Sequence, residues 1–115
     1  HQKLEVFTRS REFVLECYKI SNILPSDERF GMTTQIRRAA VSVYLNIAEG
    51  SSRKSEKERK RYYEIARGSI IEIDAALDIA NDLEYLKKFD TTKLGETMIL
   101  CFKLLTGLIQ SESKN

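Results

Sequence analysis

The chain has 115 residues, 42% of them hydrophobic and 31% charged, which is enough apolar material for one core and too much for a disordered chain. One proline and five glycines leave few chain breakers, which argues for long helices and against a many-turned β-sandwich. No apolar run approaches the ~20 residues needed to cross a bilayer, and no secretory pattern opens the chain. The start at His1 rather than Met predicts that the natural beginning is missing.

The first helix is expected over about residues 4–22, where Val6, Phe13, Cys17 and Ile20 share a stripe and Leu24-Pro25 ends it. The second is expected over 33–50, capped by Thr33 or Thr34 and stopped by Gly50, with Ile36, Ala40, Val43 and Ile47 at spacings of 4, 3 and 4. The third opens at Ser55, since Ser55-Glu56-Lys57-Glu58 has the form of a capping box. It is read as running to Leu86, with Tyr62, Ala66, Ser69, Ile73, Ala76, Ala80 and Leu83 as a 4-3 seam. The fourth is expected over 91–110, beginning near Asp90 or Thr91, with Leu94, Met98, Cys101, Leu105 and Leu108 inward and a polar tail over 111–115. Four amphipathic helices with short links make an all-α, antiparallel up-down four-helix bundle, a single domain over 1–115. Cys17 and Cys101 fall on apolar faces and read as small core hydrophobes, which fits a reducing cytoplasm.

Two helices break local rules. In the second, apolar residues cover an arc of roughly 200°, whereas one core needs a stripe somewhat wider than 100°. The surplus on Val41, Tyr44, Leu45 and Ala48 predicts a homo-oligomer joined through this helix. Opposite lies a polar stripe containing Gln35, Arg38, Ser42, Asn46 and Glu49. Arg38, Ser42, Asn46 and Glu49 are expected to form a structural polar network, with Arg38 or Arg67 pairing Glu49. In the third helix Gly68 sits mid-helix beside a small-residue seam, which reads as a tight crossing or a notch facing a ligand.

Charge is unevenly spread. Residues 53–67 hold seven Lys/Arg against three Asp/Glu, a local +4, while 1–52 carries +1 and 68–115 carries −3. Arg53, Lys54, Lys57, Lys60, Arg61 and Arg67 are the candidate phosphate contacts. The same run also fits a solvated helix face with Glu56–Lys60 pairing. With His1 as the sole histidine, no Gly-x-x-x-x-Gly-Lys-Ser/Thr loop and no metal-ligand cluster, the expectation is a non-enzyme without metal or cofactor.

The strings Gln35-Ile36-Arg37-Arg38-Ala39, Asn46-Ile47-Ala48-Glu49-Gly50 and Gly68-Ser69 resemble the four-helix bundle proteins encoded in intervening sequences of bacterial 23S rRNA genes. They also resemble the related accessory variability determinant proteins of diversity-generating retroelements. The resemblance implies a ring-shaped oligomer, commonly a pentamer, with RNA or DNA as partner through basic surface and without catalysis. A protein–protein adaptor for a polymerase or another enzyme is the alternative expectation, and a membrane partner is not expected.

Overall fold

The computed structural model describes residues 2–113, which form α1 (Gln2–Asn22), α2 (Met32–Ser51), α3 (Glu56–Asp82) and α4 (Thr92–Ser113), with a 3-10 turn at Ser26–Glu28. Each helix packs on two neighbours, α1 closing the square against α4. Cross-helix contacts fix the directions. Arg37 near the start of α2 meets Ser21 and Asn22 at the end of α1, while Tyr44 meets Phe7 near the α1 start. Gly50 lies against Tyr62 and Tyr63, and Ser42 against Ser69. Arg59 meets Glu112, and Arg67 meets Thr106. Neighbours therefore run antiparallel, as short links require, in a body of 46 × 25 × 19 Å. Among the described residues, no helix is long and apolar enough to cross a membrane.

The core is built from the expected faces of α1, α2 and α4: Val6, Phe13, Ile20, Ile36, Val43, Ile47, Cys101 and Leu105 are all closed to solvent. Only the α3 seam is displaced. Tyr63, Ile70 and Leu77 are buried with Ala66, Ile73 and Ala80, whereas Tyr62 is half-buried and Leu83 exposed. Both registers obey 4-3 spacing. The larger side chains took the interior, which fills more of it and removes more apolar surface from water.

Several helix ends differ from expectation. Neither threonine caps α2; its N-cap is Gly31, which has no side chain to offer. The work falls to Glu28, whose Oε1 accepts from the Met32 N–H at 3.2 Å and whose Oε2 accepts from the Tyr85 hydroxyl at 3.0 Å. A carboxylate suits the positive end of a helix, and the bond it accepts raises the Tyr85 phenol above its ordinary value. Gly50 does not stop α2, which continues through Ser51. Its lack of a side chain serves packing, because a Cβ there would stand 2.9 Å from Tyr63 Cε1 and 3.0 Å from Tyr62 Cβ. Ser55 caps α3 as expected, its hydroxyl accepting from the Glu58 N–H at 3.1 Å, while the Glu58 carboxylate accepts from that same hydroxyl at 3.3 Å instead of from the Ser55 N–H that a full capping box would use. At the start of α4, Asp90 Oδ1 accepts from the Thr92 N–H, and hydrogen bonding from the Thr92 side chain and then from that N–H holds the carboxyl below its usual range. The polar tail is helical through Ser113, and its last two residues lie outside those described.

α3 ends at Asp82, four residues before the expected Leu86. The Glu84 N–H bonds the Asn81 carbonyl and the Tyr85 N–H bonds the Ala80 carbonyl, a Schellman closure with Glu84 at φ 65°. Glycine is the usual occupant of that position, so a glutamate there leaves no sequence signal and carries a steric cost. Glu84→Gly should therefore stabilise the fold by about 0.5–1 kcal/mol in chemical denaturation, its exposed pairing with Lys87 contributing little.

Cys17 and Cys101 are fully buried and unpaired. Burial pushes both thiols up to about 12, helped at Cys17 by the neighbouring Cys101. A thiol the fold keeps protonated adds stability below its unfolded value near 9 and loses that contribution as pH rises toward 12. Both should resist alkylation at neutral pH until the protein is unfolded, a difference that mass spectrometry would register.

Candidate nucleic-acid interface

The link between α2 and α3 carries Arg53 and Lys54, and one side chain holds it in shape. Arg59 donates two hydrogen bonds to Glu112, at 2.8 and 3.0 Å, and its remaining terminal nitrogen donates to the Arg53 and Lys54 carbonyls at 3.2 and 2.7 Å. The guanidinium thus ties the link to the end of α4, and the Glu112 bond raises its pKa above the ordinary value. Within the basic run, Arg59 offers no sign of this role, because its partner lies 53 residues away in the chain.

The six candidate phosphate contacts separate into two groups. Arg53 lies in the link rather than on the helix, pairs with Glu49 and stacks its guanidinium 5.2 Å from the centre of the Tyr62 ring. Arg67 turns onto α4, donating to Thr106 Oγ1 at 3.1 Å and lying 5.7 Å from the centre of the Phe102 ring. Lys54, Lys57, Lys60 and Arg61 make no side-chain hydrogen bond and no ion pair among the described residues, so the expected Glu56–Lys60 pair is not formed. Four cations without internal partners therefore gather at one end of the bundle.

The polar stripe of α2 is only partly a network. Asn46 Nδ2 donates to the Ser42 carbonyl at 2.8 Å and to Ser42 Oγ at 2.9 Å, and Ser42 Oγ lies 3.1 Å from Ser69 Oγ on α3. Because Ser42 Oγ accepts from Asn46, its own proton is free for Ser69. Arg38 and Glu49 stand outside this chain. Glu49 pairs with Arg53, not with Arg38 or Arg67, because the chain keeps turning past the end of α2, the Ser52 and Arg53 N–H groups bonding the Glu49 and Gly50 carbonyls, which brings Arg53 beside Glu49. Arg38 lines an open groove of about 790 Å³ with Gln35, Ser42, Ser69 and Glu72.

On the α1–α2 side, Tyr44 packs edge-on against Phe7, with ring centres 5.8 Å apart, and Val41 and Ala48 are half-buried. Leu45 remains 59% exposed, with Leu15 and Tyr18 also at the surface nearby. The chain's own helices cover part of the apolar surplus and leave Leu45 in water. Gly68 meets nothing: a Cβ there has no neighbour within 4 Å, so the tight crossing lies at Gly50 instead.

An antiparallel all-α four-helix bundle with a cationic link end defines the class. The chain belongs to the 23S rRNA-intervening sequence protein family, whose model matches residues 2–107. Its backbone is similar to the crystal structure of a protein of unknown function from the S23 ribosomal protein family of Bacteroides thetaiotaomicron, with TM-score 0.85, 22% identity, and 96% of this chain and 99% of that one covered. No curated protein matches it.

Proposed function

We propose that this chain is a non-enzymatic, self-associating nucleic-acid-binding protein of the cytoplasm, with RNA or DNA held by its phosphates. The observation that carries this reading is the set of four cations, Lys54, Lys57, Lys60 and Arg61, that make no side-chain hydrogen bond or ion pair among the described residues, while Arg59 ties the adjoining link to α4. Lysine contacts of this kind neutralise phosphates without reading sequence. Association through the Leu45 surface, as a ring such as a pentamer, would repeat the basic end once per subunit and multiply its field. A titration of fluorescent rRNA fragments at two salt concentrations tests this reading, with the Lys57→Glu/Lys60→Glu variant as control. Binding that ignores salt, or that survives the double reversal, would overturn it. A partner captured from host extract and retained after nuclease treatment would favour the adaptor reading instead.

A further inference from the structure

Three arginines, Arg29, Arg37 and Arg38, lie in or just after the first link, and two of them are spent. Arg37 donates to Ser21 and Asn22, and Arg29 lies 5.4 Å from the centre of the Phe30 ring. Arg38 makes no side-chain hydrogen bond and no ion pair among the described residues, although it shares its groove with a carboxylate that is equally free, Glu72. The contact between Ser42 and Ser69 fixes their level: Arg38 lies one turn before Ser42 on α2, and Glu72 one turn after Ser69 on the antiparallel α3. The other carboxylate of the groove, Glu28, has both oxygens engaged, by the Met32 N–H and the Tyr85 hydroxyl. Phe30 stands at the edge of the groove and is 90% exposed, more than any other large apolar side chain among those described. A loose link does not explain this exposure. The Gly31 N–H bonds the Glu28 carbonyl at 3.0 Å, and the Arg29 carbonyl accepts from the Thr34 hydroxyl at 2.5 Å.

We infer that this groove takes an unpaired guanine of a single nucleic-acid strand, with the next base stacked on Phe30. A free guanidinium and a free carboxylate at one level of a groove complement the two edges of that base. Its N7 and O6 accept from Arg38, and its N1–H and 2-amino group donate to the two oxygens of Glu72. The other bases fit less well. Adenine and cytosine carry an amino donor where guanine has its O6 acceptor, and uracil has one N–H for a carboxylate that accepts two. Phe30 lies about two turns before Arg38, where the following base of a strand would reach it. Its open ring supplies the face on which unpaired bases stack. The site goes beyond the phosphate contacts, which lie past the other end of α2 and read no base; it shares with them only the nature of the ligand.

The test is fluorescence anisotropy of the full chain with two short labelled RNAs of equal length, uridine throughout except for a central guanine or a central adenine. The guanine strand should bind at least about tenfold tighter. Both strands carry the same phosphates, so contacts at Lys54, Lys57, Lys60 and Arg61 cancel in this ratio, and their failure would show in the salt slope instead. Glu72→Gln should bring the guanine strand to within about twofold of the adenine strand. That substitution removes a negative charge, so binding governed by charge alone would tighten for both strands. Phe30→Ala, at a position that packing does not use, should weaken the guanine strand at least about fivefold. Free guanosine monophosphate, which has no second base for Phe30, should compete at least about tenfold less well than the strand. Equal affinity for the two strands, tighter guanine binding by Glu72→Gln, an unaffected Phe30→Ala variant, or a free nucleotide as potent as the strand would overturn the site.

Discussion

Replacing Gly50 by valine should destabilise the fold by about 2–3 kcal/mol, seen as a lower denaturation midpoint at unchanged slope. The first methyl-sized atom already falls 2.9 Å from Tyr63 Cε1, and Tyr63 cannot retreat because it is fully buried, with its hydroxyl 3.4 Å from Ser51 Oγ. Tyr62 Cβ, at 3.0 Å, blocks the other side. Relief would require α2 to lift from α3 along the interface that also holds Ser42 to Ser69. Alanine at the same position should show the same sign with a smaller cost. Gly68→Ala should do the opposite and stabilise the subunit by about 1 kcal/mol, because nothing opposes the added methyl and alanine is the better helix former. If both substitutions changed stability in the same direction, the assignment of Gly50 to packing would fail.

The second large effect is on binding. Four phosphates neutralised by Lys54, Lys57, Lys60 and Arg61 of one subunit would give a log–log salt slope of about −3, so affinity for RNA should fall about 50- to 150-fold between about 50 and 200 mM salt. Lys57→Glu/Lys60→Glu should remove about half of that slope and most of the affinity at low salt. Arg67→Ala should leave the slope unchanged, because Arg67 is committed to Thr106 and Phe102. That contrast separates a defined set of contacts from a diffuse effect of net charge. A slope equally reduced by Arg67→Ala would show that the field of the whole end, rather than the four free side chains, carries the binding.

Local rules account for much of what was legible. The four helices, the N-cap at Ser55, the apolar stripes of α1, α2 and α4 and the concentration of positive charge in 53–67 all depend on residues within a turn or two of each other. Helical periodicity, turn chemistry and composition express these directly. The failures came where a distant partner decided the outcome. Thr33 and Thr34 had the right chemistry to cap α2, but Glu28 reached the N–H of Met32, held in place by its second bond, from the distant Tyr85. Gly50 sits where a stop would, yet its neighbour across the interface is an aromatic ring that excludes a side chain. Tyr62 and Tyr63 are adjacent and alike, so only the competition for interior volume could choose between the two seams.

The site divides in the same way. A helical bundle, a positively charged segment next to its second link and an apolar excess on α2 were all legible, since each follows from the order of side chains along a helix of fixed pitch. The tertiary structure decided which cations remain free and which are spent. Arg59 is tied to Glu112, Arg67 to Thr106 and Arg53 to Glu49, leaving Lys54, Lys57, Lys60 and Arg61 at the surface. The physical reason is that a charge is neutralised by whatever lies within a few ångströms in space, and in a bundle two of those three partners sit on a helix dozens of residues away.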